Sequence, residues 1–328
     1  MIVVTGGAGF IGSNLLAGLE ARRAGPLVVV DRLGRDEKWR NIARRELHDV
    51  IPPERLFSFL DAHAGRIEMI FHLGAVSSTT EADADLIVES NIRLSLDLWS
   101  WCATRRVRFV YASSAATYGD GSACFVDDGS VTGLARLRPL NAYGWSKHLV
   151  DRRLARAALS GEAGPPQTVG LKFFNVYGPN EYHKGTMQSV VAHLHPKLAA
   201  GEPARLFRSY RAGIPDGGQA RDFIWVGDCV AVMSWLLDAP DVSGLFNVGT
   251  GTARTFEDLA RATFAALGRE PRIEYVEMPE ALRPKYQYFT QADVTKLRAA
   301  GFTPAFTSLE EGVGRYVREC LATEDPYV

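Results

Sequence analysis

Residues 5–12, TGGAGFIG, form a glycine-rich turn near the start of the chain. The apolar residues 2–4 before it have the composition of a short buried strand, and a helical pattern follows over residues 10–24. A strand, a glycine-rich turn and a helix together form the arrangement that holds a dinucleotide, because the pyrophosphate lies at the positive N-terminus of the helix. The stretch therefore predicts a dinucleotide-binding site.

The glycines of this turn have separate tasks in such a site. Gly6 allows the tight turn, Gly9 lets the backbone approach a pyrophosphate, and Gly12 lets the helix pack closely on the strand. About 20 residues further on, the run VVVD ends in Asp31, which is placed for the hydroxyls of an adenosine ribose. An ordinary strand–helix turn has no need of this acidic residue, so the combination favours a dinucleotide site.

Composition narrows the class of protein. The chain has 328 residues, 46% hydrophobic and 23% charged, with a net charge of −1, which suits one large α/β unit or two intertwined lobes. The charge balance predicts neither a nucleic-acid partner nor a membrane partner, and no apolar run approaches the ~20 residues that span a bilayer.

A first strand at Ile2 leaves no room for a signal peptide. Four scattered cysteines (102, 124, 229 and 320) suit thiols in a reducing cytoplasm better than disulfides or a zinc site. We expect a soluble cytoplasmic enzyme without a metal site.

Strand-like and helical patterns alternate through the first half of the chain. This alternation predicts the α/β class, with a Rossmann-type doubly wound parallel sheet and a smaller α/β substrate lobe. The predicted strands cover residues 26–31, 69–75, 108–114 and 168–176, and the predicted helices 83–105 and 141–159. Such sheets bind ligands beyond the carboxyl ends of their strands.

The regular alternation stops after residue 176, which suggests two lobes. We expect a dinucleotide-binding domain over residues 1–175, with residues 221–247 returning to it. Residues 176–220 and 248–328 are expected to form the substrate-binding lobe.

A group of hydroxyls, a phenol and an ammonium suggests the chemistry. Ser113, Ser114 and Thr117 lie at the end of the predicted strand 108–114, and Tyr143 and Lys147 stand four residues apart on the following helix, which puts phenol and ammonium on one face. A nearby lysine cation stabilises a phenolate, lowers its pKa from ~10 and makes the tyrosine a usable acid and base. The same spacing occurs on many amphipathic helices, so the argument rests on its place after a dinucleotide turn and a strand-end serine.

Taken together, TGGAGFIG, HLGA (72–75), YASSAATYG (111–119), YGWSK (143–147) and NVYGP (175–179) resemble the extended short-chain dehydrogenase/reductase family. The resemblance implies that Ser114, Tyr143 and Lys147 form the catalytic triad. It also implies a set of cofactor contacts: Gly6, Gly9, Phe10, Ile11, Gly12, Asp31, Arg32, Lys38, Leu73, Gly74, Ala75, Val76, Ser77, Asn91, Tyr143, Lys147 and Val176.

Members of that family act mostly on nucleotide sugars, and two alanines limit the reaction. The sugar-nucleotide dehydratases carry an Asp-Glu pair after the catalytic hydroxyl, because loss of water needs its own acid and base. Ala115 and Ala116 occupy those positions here. We therefore expect epimerisation, reduction or oxidation rather than dehydration.

The segment EYHKGTMQSVVAH (181–193), with NVYGP before it, is similar to the heptose epimerases of that family. This likeness implies epimerisation at carbon 6 of an ADP-linked heptose, with Lys184 as a second acid/base beside Tyr143. It also implies substrate contacts at Ser114, Asn175, Thr186, His193, Phe207, Arg208, Ser209, Arg221 and Tyr286.

Each of these assignments has a simpler alternative. Lys184 could be a solvated loop charge, and His193 could cap a helix or pack within it. Arg221 suits a diphosphate through its bidentate guanidinium, but it could also pair with Asp222. For the whole protein, a carbon 4 epimerase, a reductase of another nucleotide sugar, or a cofactor-binding regulator without catalysis remain as alternatives.

The cofactor and the assembly follow in part from the same resemblance. Asp31 favours NAD, whereas Arg32 and Lys38 could bind the 2'-phosphate of NADP. The resemblance implies NADP, although Pro52 and Pro53 stand where the family often has another lysine. It also implies a homo-oligomer, possibly a pentamer.

Overall fold

The computed structural model describes residues 1–280, 282–283 and 286–328. Its strands are β1 (Ile2–Thr5), β2 (Leu27–Val30), β3 (Asp49–Ile51), β4 (Met69–His72), β5 (Arg108–Ser114), β6 (Thr168–Phe173), β7 (Asn175–Tyr177), β8 (Ala204–Phe207), β9 (Ala220–Arg221), β10 (Phe223–Trp225), β11 (Gly244–Val248), β12 (Arg254–Thr255) and β13 (Ile273–Val276). Its α-helices are α1 (Phe10–Ala21), α2 (Leu56–His63), α3 (Ala84–Ile87), α4 (Leu94–Arg105), α5 (Val131–Leu134), α6 (Ala142–Leu159), α7 (Val190–Ala199), α8 (Val226–Asp238), α9 (Phe256–Ala266), α10 (Thr295–Ala299) and α11 (Leu309–Arg315).

Seven parallel strands form the central sheet in the order β3-β2-β1-β4-β5-β6-β11. Val3 and Val4 show how its two faces are covered. Neighbouring strand residues point to opposite faces, so Val4 packs in the core under α1 and α8, and Val3 in the core under α2, α4 and α6. The predicted Rossmann-type doubly wound sheet is confirmed.

The predicted strand over residues 168–176 is broken in two. Phe174 donates its N–H to the carbonyl of Val248, and Asn175 donates to the carbonyl of Asp222 at 3.1 Å. The chain therefore leaves β11 at this point, and β7 pairs in parallel with β10 outside the main sheet. This change of partner directs the segment after β6 toward the cleft.

A smaller α/β layer lies beyond the carboxyl ends of β6 and β11. It contains the parallel pair β8–β13, the antiparallel pair β9–β12 and the helices α7, α9 and α11. Along the chain, α8 and β11 come between β9 and β12. Helix α8 packs against α1, and β11 forms one edge of the central sheet. Among the helices described, none is long and apolar enough to cross a membrane.

Candidate active site

The turn after β1 leaves the N-terminus of α1 open. Gly6 has a φ of +66°, and a Cβ on it would lie 2.6 Å from the backbone nitrogen of Gly74. Gly9 precedes α1 without a side-chain cap, and the first turn of the helix holds no acidic residue. The free N–H groups of that turn and its positive end form a cradle suited to a pyrophosphate.

Asp31 ends β2 beside this cradle and is already paired. Its Oδ2 accepts from the N–H of Ala8 at 3.0 Å, and its Oδ1 accepts from Lys38 Nζ at 2.7 Å. Arg32 forms an exposed ion pair with Glu54 instead. Lys38 therefore places a cation next to Asp31 at the side of the cradle, and Arg32 points to the surface.

A cavity of about 560 Å³ joins the cradle to the end of β5. Its walls contain all four predicted catalytic residues and every predicted cofactor residue except Arg32 and Asn91. The lining residues are Gly6, Gly9, Phe10, Ile11, Gly12, Asp31, Lys38, Leu73, Gly74, Ala75, Val76, Ser77, Ser78, Ala112, Ser113, Ser114, Tyr143, Lys147, Phe173, Phe174, Val176, His183, Lys184 and Met187. A larger cavity, of about 760 Å³, lies beside α6 and β11 but holds none of the predicted site residues. Chemistry rather than size therefore identifies the site.

Asn91 lies behind the cavity wall and holds it in place. Its side-chain amide pairs with both backbone groups of Val76, at 2.8 and 2.9 Å, and donates to Ser146 on α6 at 3.1 Å. The backbone carbonyl of Asn91 accepts a hydrogen bond from the hydroxyl of Ser95, and that hydroxyl accepts one from His72 Nε2 at 2.9 Å. These bonds tie the segment after β4 to α6.

His72 itself is buried and neutral. The hydroxyl of Thr5 accepts from the N–H of Gly74 and donates to His72 Nδ1 at 2.7 Å. Burial lowers the pKa of His72 to about 3, and the charge of Lys147 acts in the same direction. The ring is therefore held between Thr5 on β1 and Ser95 on α4 by a hydrogen bond at each nitrogen.

The first turn of α6 packs closely against the turn after β5. Asn141 caps the helix by accepting from the N–H of Gly144 at 2.8 Å. A Cβ on Gly144 would lie 2.7 Å from the carbonyl oxygen of Ala116. This close approach brings Tyr143 to the cavity wall that Ser114 lines.

Burial shifts the pKa values of Tyr143 and Lys147 in opposite directions. It lowers the pKa of Lys147 to about 8, with Asp151 opposing the shift. It raises the pKa of Tyr143, and the Ser114 hydroxyl partly offsets this. The sequence argument expected the ammonium to lower the pKa of the phenol, and that expectation is wrong for this structure. Loss of solvation is the dominant cause, so the phenol keeps its proton at neutral pH.

Lys184 lies on a short 3-10 helix, Tyr182–Met187, between β7 and α7. Its Nζ is 5.1 Å from the centre of the Phe10 ring at the start of α1. Burial lowers the pKa of Lys184, and the carboxylate of Glu181 opposes the shift. A half-buried lysine in the cavity wall is not a solvated loop charge.

Arg221 is buried between two aromatic rings. Its guanidinium carbon lies 5.5 Å from the centre of Phe256 and 5.4 Å from that of Tyr286. It forms no ion pair with Asp222, which instead accepts from the backbone of Thr250 at 2.7 Å and from neighbouring N–H groups. Within the part of the chain that the structure describes, the guanidinium donates only to backbone carbonyls. Among the described residues, this buried cation has no carboxylate partner.

The other predicted substrate residues lie around Arg221 and near Lys184. The Phe207 and Tyr286 rings meet edge to face at 6.3 Å, and Arg208 and Ser209 follow Phe207 at the end of β8. Exposed His193 reaches back to the carbonyl of Thr186, with its Nε2 at 3.3 Å. Asn175 is exposed at the start of β7. Of these residues only Ser114 lines the cavity described above.

Several lining residues were not predicted from the sequence. Ser78, Ala112, Ser113, Phe173, Phe174, His183 and Met187 all belong to the cavity wall. Each lies within three residues of a predicted one, so the strand ends and the Lys184 loop could have indicated them.

The model of the NAD dependent epimerase/dehydratase family matches residues 2–249, about three quarters of the chain. The chain belongs to this family. A relative from Nitratidesulfovibrio vulgaris (strain Hildenborough), named ADP-L-glycero-D-manno-heptose-6-epimerase, is 50% identical, with 100% of both chains covered. Among solved members with this fold, the Helicobacter pylori ADP-L-glycero-D-manno-heptose-6-epimerase matches with a TM-score of 0.79 and 28% identity, over 97% of this chain and 95% of that one. The Thermus thermophilus UDP-glucose 4-epimerase, solved with NAD, has a TM-score of 0.73 and 27% identity, over 96% and 97%.

Proposed function

We propose that this protein epimerises carbon 6 of ADP-D-glycero-D-manno-heptose to give ADP-L-glycero-D-manno-heptose, a step toward the heptose of the lipopolysaccharide core. The observation that carries the proposal is the full-length identity of 50% to a relative bearing that name. The site supports it, since Ser114, Tyr143 and Lys184 line one cavity.

Tyr143 and Ser114 act on the oxygen of carbon 6. The glycine turn before α1 and the cavity wall that Tyr143 and Lys147 line would hold a nicotinamide cofactor, which would supply a reversible hydride acceptor for carbon 6. Tyr143 takes the hydroxyl proton in one direction and gives it back in the other. Ser114 orients the oxygen, and the Lys147 ammonium stabilises the phenolate that forms.

A second proton-transfer group is useful because the ketone must turn between the two half-reactions. Rotation about the bond to the sugar ring presents the opposite face and moves the oxygen. Lys184, whose pKa is lowered by burial, suits a donor and acceptor at the second position. With Ala115 and Ala116 after Ser114, no carboxylate stands there to expel water, which argues against a dehydratase.

Arg221 is proposed to bind the substrate diphosphate. A buried guanidinium that lacks a carboxylate partner costs free energy until an anion compensates it, and its planar fork suits phosphate oxygens. Phe207, Arg208, Ser209 and Tyr286 are proposed to surround the nucleotide, with Asn175, Thr186 and His193 toward the sugar.

Membership of the family supports a nicotinamide cofactor, and NADP rather than NAD is our specific proposal. Lys38 supports it because the ammonium beside Asp31 can turn to a 2'-phosphate. Titrating the cofactor-free protein with NADPH and NADH, followed by nicotinamide fluorescence, tests this choice. Lys38→Met should weaken NADPH binding at least tenfold and leave NADH binding within about twofold. Equal losses for both cofactors would contradict the proposed contact.

We also propose the domain division of 1–175 with 221–247 for the cofactor, and 176–220 with 248–328 for the substrate. The protein is proposed to be a cytoplasmic homo-oligomer, possibly a pentamer. Exposed Trp39 and Trp145 support association only in that tryptophan is a residue type enriched at protein contact surfaces. Light scattering coupled to gel filtration tests the assembly, and a monomer would contradict it.

Proton NMR of the purified protein with ADP-D-glycero-D-manno-heptose and no added cofactor tests the proposed reaction. Formation of the L-glycero epimer would support it and indicate that the cofactor stays bound through turnover. UDP-glucose serves as the comparison substrate, because a carbon 4 epimerase would convert it to UDP-galactose. Turnover of UDP-glucose alone would contradict the proposal and leave the triad in place.

A further inference from the structure

A buried ion pair lies behind the catalytic side chains. Lys172 on β6 and Asp151 on α6 have side chains that are 1% and 0% exposed, and Lys172 Nζ lies 2.7 Å from Asp151 Oδ2. Neither residue belongs to the proposed triad. An ion pair removed this completely from water is costly to bury, so its hydrogen bonds deserve a structural explanation.

Every hydrogen bond of the carboxylate reaches β5 or β6. Asp151 Oδ2 accepts from Ser113 Oγ at 2.7 Å, and Oδ1 accepts from Tyr111 OH at 3.0 Å. Ser113 is adjacent to Ser114 in the chain. Asp151 is also one helical turn beyond Lys147 and two turns beyond Tyr143, on the same face of α6. The carboxylate therefore joins the face of α6 that carries the triad to the strand that carries its serine.

The ammonium reaches the turn that follows Ser114. Lys172 Nζ donates to Thr117 Oγ1 at 2.5 Å, and Thr117 Oγ1 donates to the carbonyl of Ser114 at 2.8 Å. The same Nζ lies 4.9 Å from the centre of the Tyr118 ring. The ion pair thus holds Ser114 from both sides, through Ser113 before it and Thr117 after it.

We propose that the Lys172–Asp151 pair is the positioning element of the active site, which holds Ser114 in register with Tyr143 and Lys147. The proposal rests on the proposed function, because it assigns a role relative to that triad. Lys172 and Asp151 act through other residues and do not touch the reacting atoms.

The pair also influences the charge of Lys147. Asp151 raises the pKa of Lys147 against the effect of burial, and Lys172 Nζ is ion-paired with Asp151 Oδ2. The histidines and tyrosines around Lys147 and the pair stay neutral near pH 7. Burial lowers the pKa of His72 on β4 to about 3 and that of His148 on α6 to about 4. Burial also raises the pKa of three tyrosines: Tyr111 on β5, Tyr118 in the following turn and Tyr143 on α6. Glu89, in the helical segment that contacts α6, is exposed. Asp151 is therefore the charge that opposes the effect of burial on the pKa of Lys147, and Lys172 is ion-paired with it.

The test compares Lys172→Met, Asp151→Asn and the double variant with the intact holoenzyme. Each single variant should lower kcat at least tenfold and change KM and cofactor affinity less than about threefold, because misplaced catalytic groups affect turnover more than binding. Lys172→Arg should restore most of kcat by keeping the charge. If a single variant fails to fold, the uncharged double variant and Lys172→Arg decide the outcome.

The pH profile separates positioning from simple stability. Removing the carboxylate should lower the pKa of Lys147, and removing the ammonium should raise it, each by about half a unit or more in the profile of kcat. Asp228→Asn is the control, because Asp228 is a buried carboxylate that accepts hydrogen bonds from Thr307. This variant should lower the melting temperature without moving the pH profile of kcat. A value of kcat within twofold of wild type and an unmoved profile in the variants would overturn the proposal. If Tyr143→Phe keeps its activity, the triad itself is wrong, which is a separate result.

Discussion

Tyr143 on α6 and Lys184 on the 3-10 helix after β7 line one cavity, and the ordinary pKa of each side chain lies well above neutral pH. Burial raises the pKa of the phenol and lowers that of the ammonium. Each group therefore moves away from its charged form. A reversible oxidation of a hydroxyl requires a proton donor whose conversion to the neutral form costs little free energy. It also requires a base that is shielded from water.

At the scale of the residue, Tyr143→Phe should reduce epimerisation by about 10² to 10⁴-fold, since it removes a general acid and base. The measurement is kcat by NMR with saturating substrate, alongside nicotinamide fluorescence for bound cofactor. Tyr177→Phe is the matched control: its buried hydroxyl has no hydrogen-bond partner within the described residues. The control should keep full activity and lose no stability. Equal activity of the two variants would remove Tyr143 from the mechanism.

Lys184→Ala should abolish epimerisation and leave cofactor affinity within about threefold. The expected reason is loss of the second proton-transfer group, not loss of the cavity. Lys197→Ala, on an exposed position of α7, is the control and should behave as wild type. Undiminished turnover by Lys184→Ala would favour an epimerase that needs only the triad.

At the scale of the element, the start of α6 depends on a residue with no side chain. Gly144→Ala would place a methyl group 2.7 Å from the carbonyl oxygen of Ala116, so helix or turn must shift. We expect a loss of about 1 to 3 kcal/mol in the free energy of unfolding and a lower kcat. Gly65→Ala is the control, because a Cβ there meets nothing within 4 Å. Denaturant unfolding of both variants measures the difference, and equal stability would contradict the close contact.

Sequence patterns predicted the elements whose partners are local or repetitive. The alternation of apolar runs gave β5 at Arg108–Ser114 and α6 within one residue at its start. The glycine turn also indicated where the cavity lies, because all the residues that form the turn stand within eight consecutive positions of the chain. The break at Phe174 was missed, since it depends on Val248 and Asp222, which are distant in sequence.

Some residues of the site could be predicted from the sequence and others could not, for a similar reason. Residues within motifs, such as Tyr143 and Lys184, were identified one by one. The Asp151–Lys172 pair was not, because its partners meet only after β5, β6 and α6 have packed. The raised pKa of Tyr143 also needed the structure, since a sequence shows a neighbouring lysine but not the extent of burial.

At the scale of the whole molecule, stability should fall as pH drops below about 6.5. Burial lowers the pKa of His72 to about 3 from its ordinary value of 6.5, so only the unfolded chain binds the proton of this side chain in that range. This contribution is present above pH 6.5 and is lost as pH falls toward 3, with a slope of up to about 1.4 kcal/mol per pH unit. His72→Gln should therefore lose less stability than wild type between about pH 7 and pH 5.

Urea unfolding of both proteins at those two pH values measures this difference. The exposed His48→Gln variant is the control and should follow wild type. The same pH dependence in His72→Gln and wild type would contradict a buried neutral imidazole.

The proposed transfer of hydrogen from carbon 6 and back can be followed most directly with an isotope. ADP-D-glycero-D-manno-heptose carrying deuterium at carbon 6 is incubated with the enzyme in ordinary water, and the product is examined by NMR and mass spectrometry. We predict an L-glycero product that retains the deuterium, because the hydrogen leaves as hydride and returns to the same carbon without meeting solvent. Product in which that deuterium has been replaced by hydrogen from water would show that carbon 6 is deprotonated, and would contradict transient oxidation as the mechanism.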